Sequence, residues 1–381
     1  MTDFANKALL PAGLRDVLPP EAAFETHVVE SLVAFFAANG YDRVKPPLIE
    51  FEEGLLSGAG IVMDGQVFRF MDPVSQRMLG VRADITLQVA RIATSRLVKS
   101  PRPLRLGYSG QVLRVKGSQL RPERQFAQAG IELIGATSPS ADAEVVLLAA
   151  ESLARLGVDG VSVDLNLPTL VPALCGVLDL DGEKRSLLRR ALDQKDAKTI
   201  GDFGGGAGTL LGALLAASGP ADRAVAALRA IDLPPAAAAA RDTLAEVVRL
   251  VRAEAPDLTL TVDPVEHRGF EYHAGVSFAI FARGAQGELG RGGRYLAGET
   301  AREPATGATL FVDAVLDVLP RPATQRRLLL PPGTARRVAL GHQKDGWITV
   351  AALGPVADLT IEAGRMGCSH ALVEGRPVAV G

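Results

Sequence analysis

Residues 113–135, LRVKGSQLRPERQFAQAGIELIG, constrain the fold of this chain more than any other stretch of its sequence. They form two apolar segments joined by a polar loop, and this pattern predicts a pair of antiparallel strands. In the second segment Phe126 and Gln128 project to one face, while Ala129 and Ile131 project to the other, because side chains alternate along a strand. One face of this strand is therefore apolar, and the other carries polar groups.

The polar residues of this stretch suit small charged ligands. Arg114, Arg121 and Arg124 are candidate anion-binding residues, because a guanidinium group offers a planar fork of donors to a phosphate or a carboxylate. Gln128 and Glu132 lie farther along the second strand and suit an ammonium group or an imidazole N–H. From this stretch alone, an exposed hairpin with a charged tip is an equally good interpretation.

Composition indicates an ordinary globular protein with more than one domain. The 381 residues carry a formal net charge of −2 and are 48% hydrophobic. A chain of this length forms two or three domains, and its near-neutral charge argues against a strongly basic nucleic-acid-binding protein. Cys175 and Cys368 form no CxxC pattern, and the histidines show no metal-ligand spacing, so we expect reduced thiols, no metal site and no cofactor. With no secretory leader and no run of about 18 apolar residues, we expect a cytoplasmic protein without membrane contact.

The pattern along the chain predicts a mixed core interrupted by a helical insert. Helices are predicted over residues 21–39, from 82 to about 99, and over 141–156. Strands are predicted at 67–70, 77–81, 104–108, 112–115, 125–134, 161–167, 258–262, 271–281 and 287–290. Residues 170–255 are rich in alanine and leucine and predict a helical insert. The triple glycine at 204–206 lacks the Lys-Ser or Lys-Thr of a phosphate-binding loop, which argues against a phosphate site there. Residues 307–318 are apolar throughout and fit a strand or a helix.

The last part of the chain is predicted to be a separate small domain. Residues 320–333 are rich in proline and arginine and form the best linker candidate, which divides the chain into domains 1–320 and 321–381. Four short apolar runs in the second domain, at 338–340, 347–353, 359–362 and 371–373, predict a β-rich piece.

Two further motifs follow residues 113–135 along the chain, and the order of the three motifs is specific. HRGFEYHAGV at 267–276 places Arg268, Tyr272 and His273 at the start of a strand, and GRGGRY follows at 290–295. Together with residues 113–135, these motifs resemble the catalytic core of class II aminoacyl-tRNA synthetases, and among them the histidyl-tRNA synthetase lineage. PAGLRD at 11–16, the prolines at 46–47 and RADIT at 82–86 fit the same resemblance, which spans about residues 8–320.

The resemblance implies both a fold and a ligand. The fold is α+β, with an antiparallel sheet flanked by helices, a helical insert and a small β-rich C-terminal piece. The ligand is histidine, bound on the sheet. The implied histidine-binding residues are Asp84, Thr86, Gln128 and Glu132 around the ammonium and imidazole groups, Arg268 at the carboxylate, and Tyr272 and His273 lining the side-chain pocket. His273 stands where the synthetases usually have tyrosine. The first class motif, here around residues 44–51, implies a two-fold homodimer interface.

The nucleotide side of the chain departs from the synthetase pattern. The usual Arg-x-Glu is Arg114-Val115-Lys116, and in the third class motif Phe311 and Ala314 stand where a glycine and an arginine are expected. Adenylate formation requires cations around the phosphates, so these losses predict that the chain has no aminoacylation activity. The lineage also carries an anticodon-binding domain of about 100 residues, whereas 321–381 spans a shorter stretch of strand-like runs, so we expect no tRNA binding.

This combination is similar to that of the regulatory subunits of short-form ATP phosphoribosyltransferase, the enzyme that opens histidine biosynthesis. The resemblance implies a non-catalytic subunit that assembles with a separate catalytic subunit, activates it and mediates feedback inhibition by histidine. It also implies a homodimer within a larger hetero-oligomer. Two alternatives remain at this point: a divergent active histidyl-tRNA synthetase, and a histidine-binding scaffold protein that uses the same fold.

Overall fold

The computed structural model describes residues 9–56, 63–117, 121–177, 182–266, 272–298, 302–321 and 325–380. The chain divides into two compact units, Met1–Pro320 and Arg321–Gly381. In the described ranges, every helix is too short or too polar to cross a membrane.

The first unit contains twelve of the described strands. They are β1 Asp42–Arg43, β2 Ile49–Phe51, β3 Phe68–Met71, β4 Met78–Val81, β5 Leu104–Leu113, β6 Gln125–Ile134, β7 Ser162–Asn166, β8 Gly219–Pro220, β9 Thr259–Asp263, β10 His273–Phe281, β11 Gly290–Ala297 and β12 Glu303–Phe311. The described helices of this unit are α1 Glu21–Ala38, α2 Glu52–Leu55, α3 Thr86–Ser95, α4 Pro139–Leu156, α5 Leu170–Val177, α6 Gly182–Asp193, α7 Ala197–Gly201, α8 Gly205–Ala216, α9 Ala221–Arg229, α10 Pro235–Glu254 and α11 Val312–Val318.

Nine strands form one large sheet in the order β1-β5-β6-β12-β11-β10-β7-β9-β8. Neighbouring strands are antiparallel except for the pairs β1–β5 and β7–β9. The long pairing of β5 with β6 confirms the antiparallel strands predicted around residues 113–135. The sheet and its flanking helices have the α+β architecture that the sequence predicts.

The helices on one face of the sheet build the larger hydrophobic core. Helix α4 buries Val146, Ala149 and Leu153 against the sheet, and it ends at Gly157, whose left-handed backbone (φ +92°) favours glycine. Strand β6 contributes Ala129 and Ile131 to this core. The alternation predicted for β6 is therefore confirmed.

A second core cluster covers part of the opposite face of the sheet. Helix α3 supplies Val89 and Ala93, which pack with Tyr108, Phe126 and Phe311 of the sheet. Gln128 and Glu132 project to this face, between the two apolar ends of β6, and both are fully buried. The structure thus replaces the exposed-hairpin interpretation with a polar site enclosed beneath α3.

Strands β2, β4 and β3 form a separate three-stranded antiparallel sheet. Ile49 and Phe68 both pair with Val81, and Phe51 and Phe70 both pair with Leu79. These two cross-strand rows lie on one face, because residues in register on neighbouring strands project to the same side. That face keeps Ile49, Phe51 and Phe70 substantially exposed.

The second unit alternates strands and helices. Its described elements are β13 Arg327–Leu330, α12 Arg336–Lys344, β14 Ile348–Ala351, α13 Leu359–Arg365, β15 His370–Val373 and β16 Arg376–Ala379, with sheet order β14-β13-β15-β16. The strands predicted at 338–340 and 359–362 are therefore wrong. A run of three or four apolar residues does not distinguish a strand from one turn of an amphipathic helix. The helix signal at α13 is Asp358, whose carboxylate accepts hydrogen bonds from the backbone N–H groups of Thr360 and Ile361.

Other boundaries also differ from the predictions. The strand expected at 287–290 begins only at Gly290. It then runs on to Ala297, because the glycines of this segment continue the strand instead of ending it. The ambiguous stretch 307–318 contains both elements: β12 ends at Phe311 and α11 begins at Val312. Helix α3 ends at Ser95, earlier than the predicted end near residue 99, and β5 is one continuous strand where two were predicted.

Candidate functional site

The start of α3 places two of the predicted histidine-binding residues next to β6. The Asp84 carboxylate accepts a hydrogen bond from the backbone N–H of Thr86 (2.9 Å), which satisfies a donor of the first helical turn. Its other oxygen accepts from the Gln128 side-chain amide (3.0 Å), whose own oxygen accepts from the backbone N–H of Ile85 (3.2 Å). Asp84 and Gln128 are thus held together, and Asp84 presents a carboxylate at the helix start.

Arg82 holds the start of α3 against the neighbouring backbone of residues 46 and 111. Its buried guanidinium donates to the backbone oxygens of Gln111 (2.7 Å) and Pro46 (3.1 Å), and burial lowers its pKa. A side chain at Gly110 would overlap this guanidinium. Glycine at that position leaves room for the guanidinium where it lies.

Glu132 lies at the centre of a fully buried polar cluster. Tyr295 donates a hydrogen bond to one of its carboxylate oxygens (2.8 Å), and Tyr108 donates to the other (3.4 Å). The hydroxyl groups of Thr86 and Thr309 complete the cluster, 3.0 Å and 2.6 Å from the Tyr108 hydroxyl. A hydrogen-bonded acidic group on the sheet floor matches the need of an imidazole ring or an ammonium group for a polar partner.

Burial controls the ionisation of the Glu132 carboxyl group. Loss of solvation raises its pKa to about 8, although hydrogen bonds from Tyr295 and Thr86 act in the opposite direction and the negative charge of Asp84 adds to the rise. The group therefore exchanges its proton near neutral pH, where histidine itself titrates.

Two aromatic residues form the next wall of the site. The Tyr272 ring lies 4.0 Å from the ring of His273 and 6.2 Å from that of Tyr295, measured between centroids. His273 is buried. The structure thus brings six of the predicted histidine-binding residues into one region: Asp84, Thr86, Gln128, Glu132, Tyr272 and His273. The seventh, Arg268, lies outside the described residues.

The three candidate anion-binding arginines do not form a single cluster. Arg114 and Arg121 both stack on the ring of Phe126, whereas Arg124 stacks on Phe68 and donates to the backbone oxygens of Ala12 and Arg114. Arg121 forms an ion pair with Asp313 (3.2 Å). Burial lowers the pKa of Arg114.

Phe311 fills the region where the sequence predicts a damaged nucleotide site. It is almost fully buried, its ring meets that of Phe126 edge-on at 6.2 Å, and the guanidinium of Arg121 lies 4.0 Å above it. Side chains of the protein itself therefore occupy the space beside the polar cluster.

Several residues of the site were not assigned roles from the sequence. Tyr108, Thr309 and Gly307 reach Glu132 only through the pairing of β6 with β5 and β12, which joins positions distant in the sequence. Tyr295 ends the GRGGRY motif and lies within β11, and the motif itself is the one available sequence signal. Among the described residues, no group of three or more His, Cys, Asp or Glu side chains is arranged to hold a metal ion.

Comparison with known proteins identifies the family of the chain. A family model described as histidyl-tRNA synthetase matches residues 13–315. An ATP phosphoribosyltransferase regulatory subunit from Paramagnetospirillum magneticum is 62% identical over 98% of this chain and 98% of its own length. The chain belongs to the family of ATP phosphoribosyltransferase regulatory subunits.

Two solved structures share the fold. A protein from Bacillus halodurans described as an ATP phosphoribosyltransferase regulatory subunit/histidyl-tRNA synthetase superposes with a TM-score of 0.81 at 24% identity, covering 94% of this chain and 96% of that one. A chain of the ATP phosphoribosyl transferase (HisG:HisZ) complex from Thermotoga maritima gives a TM-score of 0.59 at 18% identity, covering 76% of this chain and 97% of its own. At these identities the likeness shows the fold.

Membership of this family confirms the resemblance stated from the sequence motifs. The relatives are named as ATP phosphoribosyltransferase regulatory subunits. The chain is accordingly a non-catalytic subunit with a synthetase-like fold, as its third class motif predicts.

Proposed function

We propose that this protein binds histidine on its large sheet, assembles with a separate ATP phosphoribosyltransferase catalytic subunit, stimulates it and transmits feedback inhibition by histidine. One observation carries the proposal. Gln128 and Glu132 are fully buried and hydrogen-bonded, and Gln128 joins the partly buried Asp84, while Phe311 and Arg121 fill the adjoining nucleotide side. The chain keeps polar groups that can bind an amino acid, and it lacks the open, cationic nucleotide site that adenylate formation requires.

The orientation of the ligand follows from charge. The ammonium group of histidine lies at Asp84, and the imidazole ring lies between Glu132 and the aromatic wall of Tyr272 and His273. Arg268, named from its motif alone, neutralises the carboxylate. Each end of the zwitterion then meets a group of opposite charge.

The relatives support the choice of partner, and the first class motif around residues 44–51 supports the homodimer. The names of the relatives and the HisG:HisZ complex support a catalytic subunit as the partner. The protein forms a homodimer within that hetero-oligomer and binds no tRNA. Feedback requires histidine to bind one state of the complex more tightly than the other, with a coupling free energy of about 1–3 kcal/mol.

The direct test mixes the purified chain with the short-form catalytic subunit and measures phosphoribosyl transfer with and without histidine. We expect stimulation by the chain and inhibition when histidine is added. Calorimetry on Asp84→Asn and Arg268→Ala should show strongly weakened histidine binding, because each change leaves a partly desolvated charge unpaired, at about 2–5 kcal/mol. Both variants should still assemble with the catalytic subunit and stimulate it.

Lys116→Ala is the matched control, because Lys116 is exposed at the edge of the nucleotide side. Its histidine affinity should equal that of the wild type. Histidine-dependent exchange between pyrophosphate and ATP by the isolated chain would instead favour a divergent synthetase. Histidine binding without any effect on the catalytic subunit would favour a scaffold protein.

A further inference from the structure

One row of residues crosses the large sheet on the face that carries the site. In register, Glu132 pairs with Gly307, Gly307 with Gly293, and Gly293 with Ser277. Paired residues on neighbouring antiparallel strands project to the same face of a sheet. Ser277 therefore shares the face of Glu132, two strands beyond Gly307.

The neighbours of Ser277 along β10 agree with this direction. Val276 and Phe278 both pack into the helix-side core. Because side chains alternate along a strand, the Ser277 side chain points away from that core and toward the site.

The two glycines of the row leave no side chain between the polar groups at its ends. A side chain at Gly307 would overlap the carboxylate of Glu132, so that carboxylate lies directly over Gly307. A Cβ at Gly293 would lie 2.7 Å from the Cβ of Ser277 and 2.7 Å from Cδ2 of His273. The Glu132 carboxylate lies over β12 and Ser277 lies on β10, with β11 between them, so the two groups flank a gap of about two strand spacings, roughly 10 Å.

The hydroxyl group of Ser277 differs from the other hydroxyl groups of the site. It is fully buried, and among the described residues no protein group is placed to hydrogen-bond with its Oγ. The hydroxyl groups of Thr86, Tyr108, Tyr295 and Thr309 all have partners. Buried polar groups are normally satisfied, so a lone buried hydroxyl group beside a binding site indicates a partner that arrives with the ligand.

We propose that Ser277 is a specificity-determining residue whose hydroxyl group binds the imidazole nitrogen of histidine that Glu132 does not bind. This inference rests on the proposed histidine site and extends it. An imidazole ring carries two nitrogens on different edges, and they require two polar partners. A hydroxyl group both donates and accepts, so Ser277 fits whichever form of the ring the Glu132 carboxyl group selects.

The test compares two ligands of similar ring size, histidine and β-(2-thienyl)alanine, whose ring has no nitrogen. Calorimetry on the full chain should show that Ser277→Ala weakens histidine binding by about 5- to 10-fold, the range of one neutral hydrogen bond. Binding of thienylalanine should stay unchanged, so discrimination between the ligands falls by the same factor. The melting temperature of the ligand-free variant should equal or exceed that of the wild type, since the variant loses an unsatisfied hydroxyl group.

Ser152→Ala is the matched control. Ser152 is equally buried, but its hydroxyl group donates to the backbone oxygen of Ala149 within α4, so neither ligand should be affected. If the wild type binds histidine and Ser277→Ala binds it equally well, Ser277 has no part in specificity, although the proposed function stands. Equal weakening of both ligands, or a lower melting temperature, shows a structural role and also overturns the inference. Absence of histidine binding by the wild type removes both proposals.

Discussion

Burial and hydrogen bonding act in opposite directions on the carboxyl group of Glu132. Burial dominates and raises its pKa from an ordinary value of 4.5 to about 8, against the hydrogen bonds from Tyr295 and Thr86. The folded protein therefore keeps a proton on this group over a pH range in which the unfolded chain has lost it. Linkage then requires that stability change with pH in this range.

We predict that Glu132→Gln removes this dependence. The stabilising contribution of the neutral Glu132 group is fully present below about pH 4.5 and is lost as the pH rises through about 8. The unfolding free energy of the wild type should therefore fall relative to that of Glu132→Gln, by about 1.4 kcal/mol per pH unit within this window. Urea denaturation of both proteins at pH 6, 7 and 8 measures the difference.

Glu144→Gln serves as the control for this prediction. Its hydrogen bond from Arg105 lowers the pKa of Glu144, so its contribution is present above the ordinary pKa of a glutamate and is lost only as the pH falls through the lowered value. Between pH 6 and 8 the difference between this variant and the wild type should stay constant. A constant difference for Glu132→Gln as well would mean that Glu132 is ionised throughout.

For single residues, the sequence predicts those site positions that follow from the alternation of side chains along one strand. Gln128 and Glu132 follow from the period of β6, and both lie in the site. Tyr108 and Thr309 could not be found in this way, because they reach Glu132 through strand pairings between distant positions. The filled space around Phe311 also depends on Phe126 and Arg121, although Phe311 itself is visible in the third class motif.

Strand β12 passes Glu132 closely because residue 307 is a glycine. We predict that Gly307→Ala displaces the Glu132 carboxylate, which a new methyl group would overlap. The change should weaken histidine binding strongly and destabilise the protein by about 1–3 kcal/mol, the usual effect of overpacking. Gly212→Ala is the control: it lies in α8 with open space around it, so alanine there should stabilise by about 0.5–1 kcal/mol. Calorimetry and thermal unfolding test both variants, and unchanged histidine affinity in Gly307→Ala would contradict the placement of the ligand.

A buried ion pair fastens α4 to the sheet. Arg294 of β11 contacts Asp142 of α4 at 2.9 Å and also donates to the backbone oxygen of Ala136, while Thr306 donates to the second Asp142 oxygen (2.6 Å). The Asp142 side chain is only 2% exposed, and burial raises its pKa despite Arg294. This carboxylate therefore depends on its partners.

We predict that Arg294→Leu destabilises the protein by about 3–5 kcal/mol, because it leaves the Asp142 carboxylate buried and unpaired. Arg283→Leu breaks a pair with Asp159 whose side chains are 78% and 75% exposed, so it should cost no more than about 1 kcal/mol. Urea denaturation followed by circular dichroism measures both. Similar costs for the two variants would show that solvent reaches Asp142.

The order of elements was predicted more accurately than their ends. Long periodic segments such as α1 and β6 were recognised because each repeats its pattern over several turns or pairs of residues. The pattern at α12 and α13 predicts strands, because each helix contributes only a short apolar run to the small core of the second unit. Because helices alternate with strands in this unit, the predicted row of short strands no longer argues against tRNA binding.

Within the described ranges, the β2-β4-β3 sheet exposes apolar side chains on one face. Ile49, Phe51 and Phe70 are 40%, 37% and 39% exposed on neighbouring strands. The guanidinium of Arg77 lies 3.6 Å from the centre of the Phe51 ring on this face. Exposed apolar side chains grouped on neighbouring strands and bordered by a polar group are typical of an interface. The segment 44–51, from which the sequence predicts a homodimer, contributes one edge of this face.

We predict that the face joins two copies of the chain about a two-fold axis, so that each copy covers the apolar rows of the other. The double variant Ile49→Lys, Phe70→Glu places charges in both rows and should be a folded monomer at micromolar concentration, because burying an unpaired charge costs more than the contact provides. Phe281→Glu is the control: Phe281 is equally exposed, at 39%, but lies at the end of β10 in the large sheet, so this variant should remain a dimer. Light scattering gives the masses. A dimeric mass for the double variant would place the interface elsewhere, and a monomeric wild type would rule out the homodimer itself.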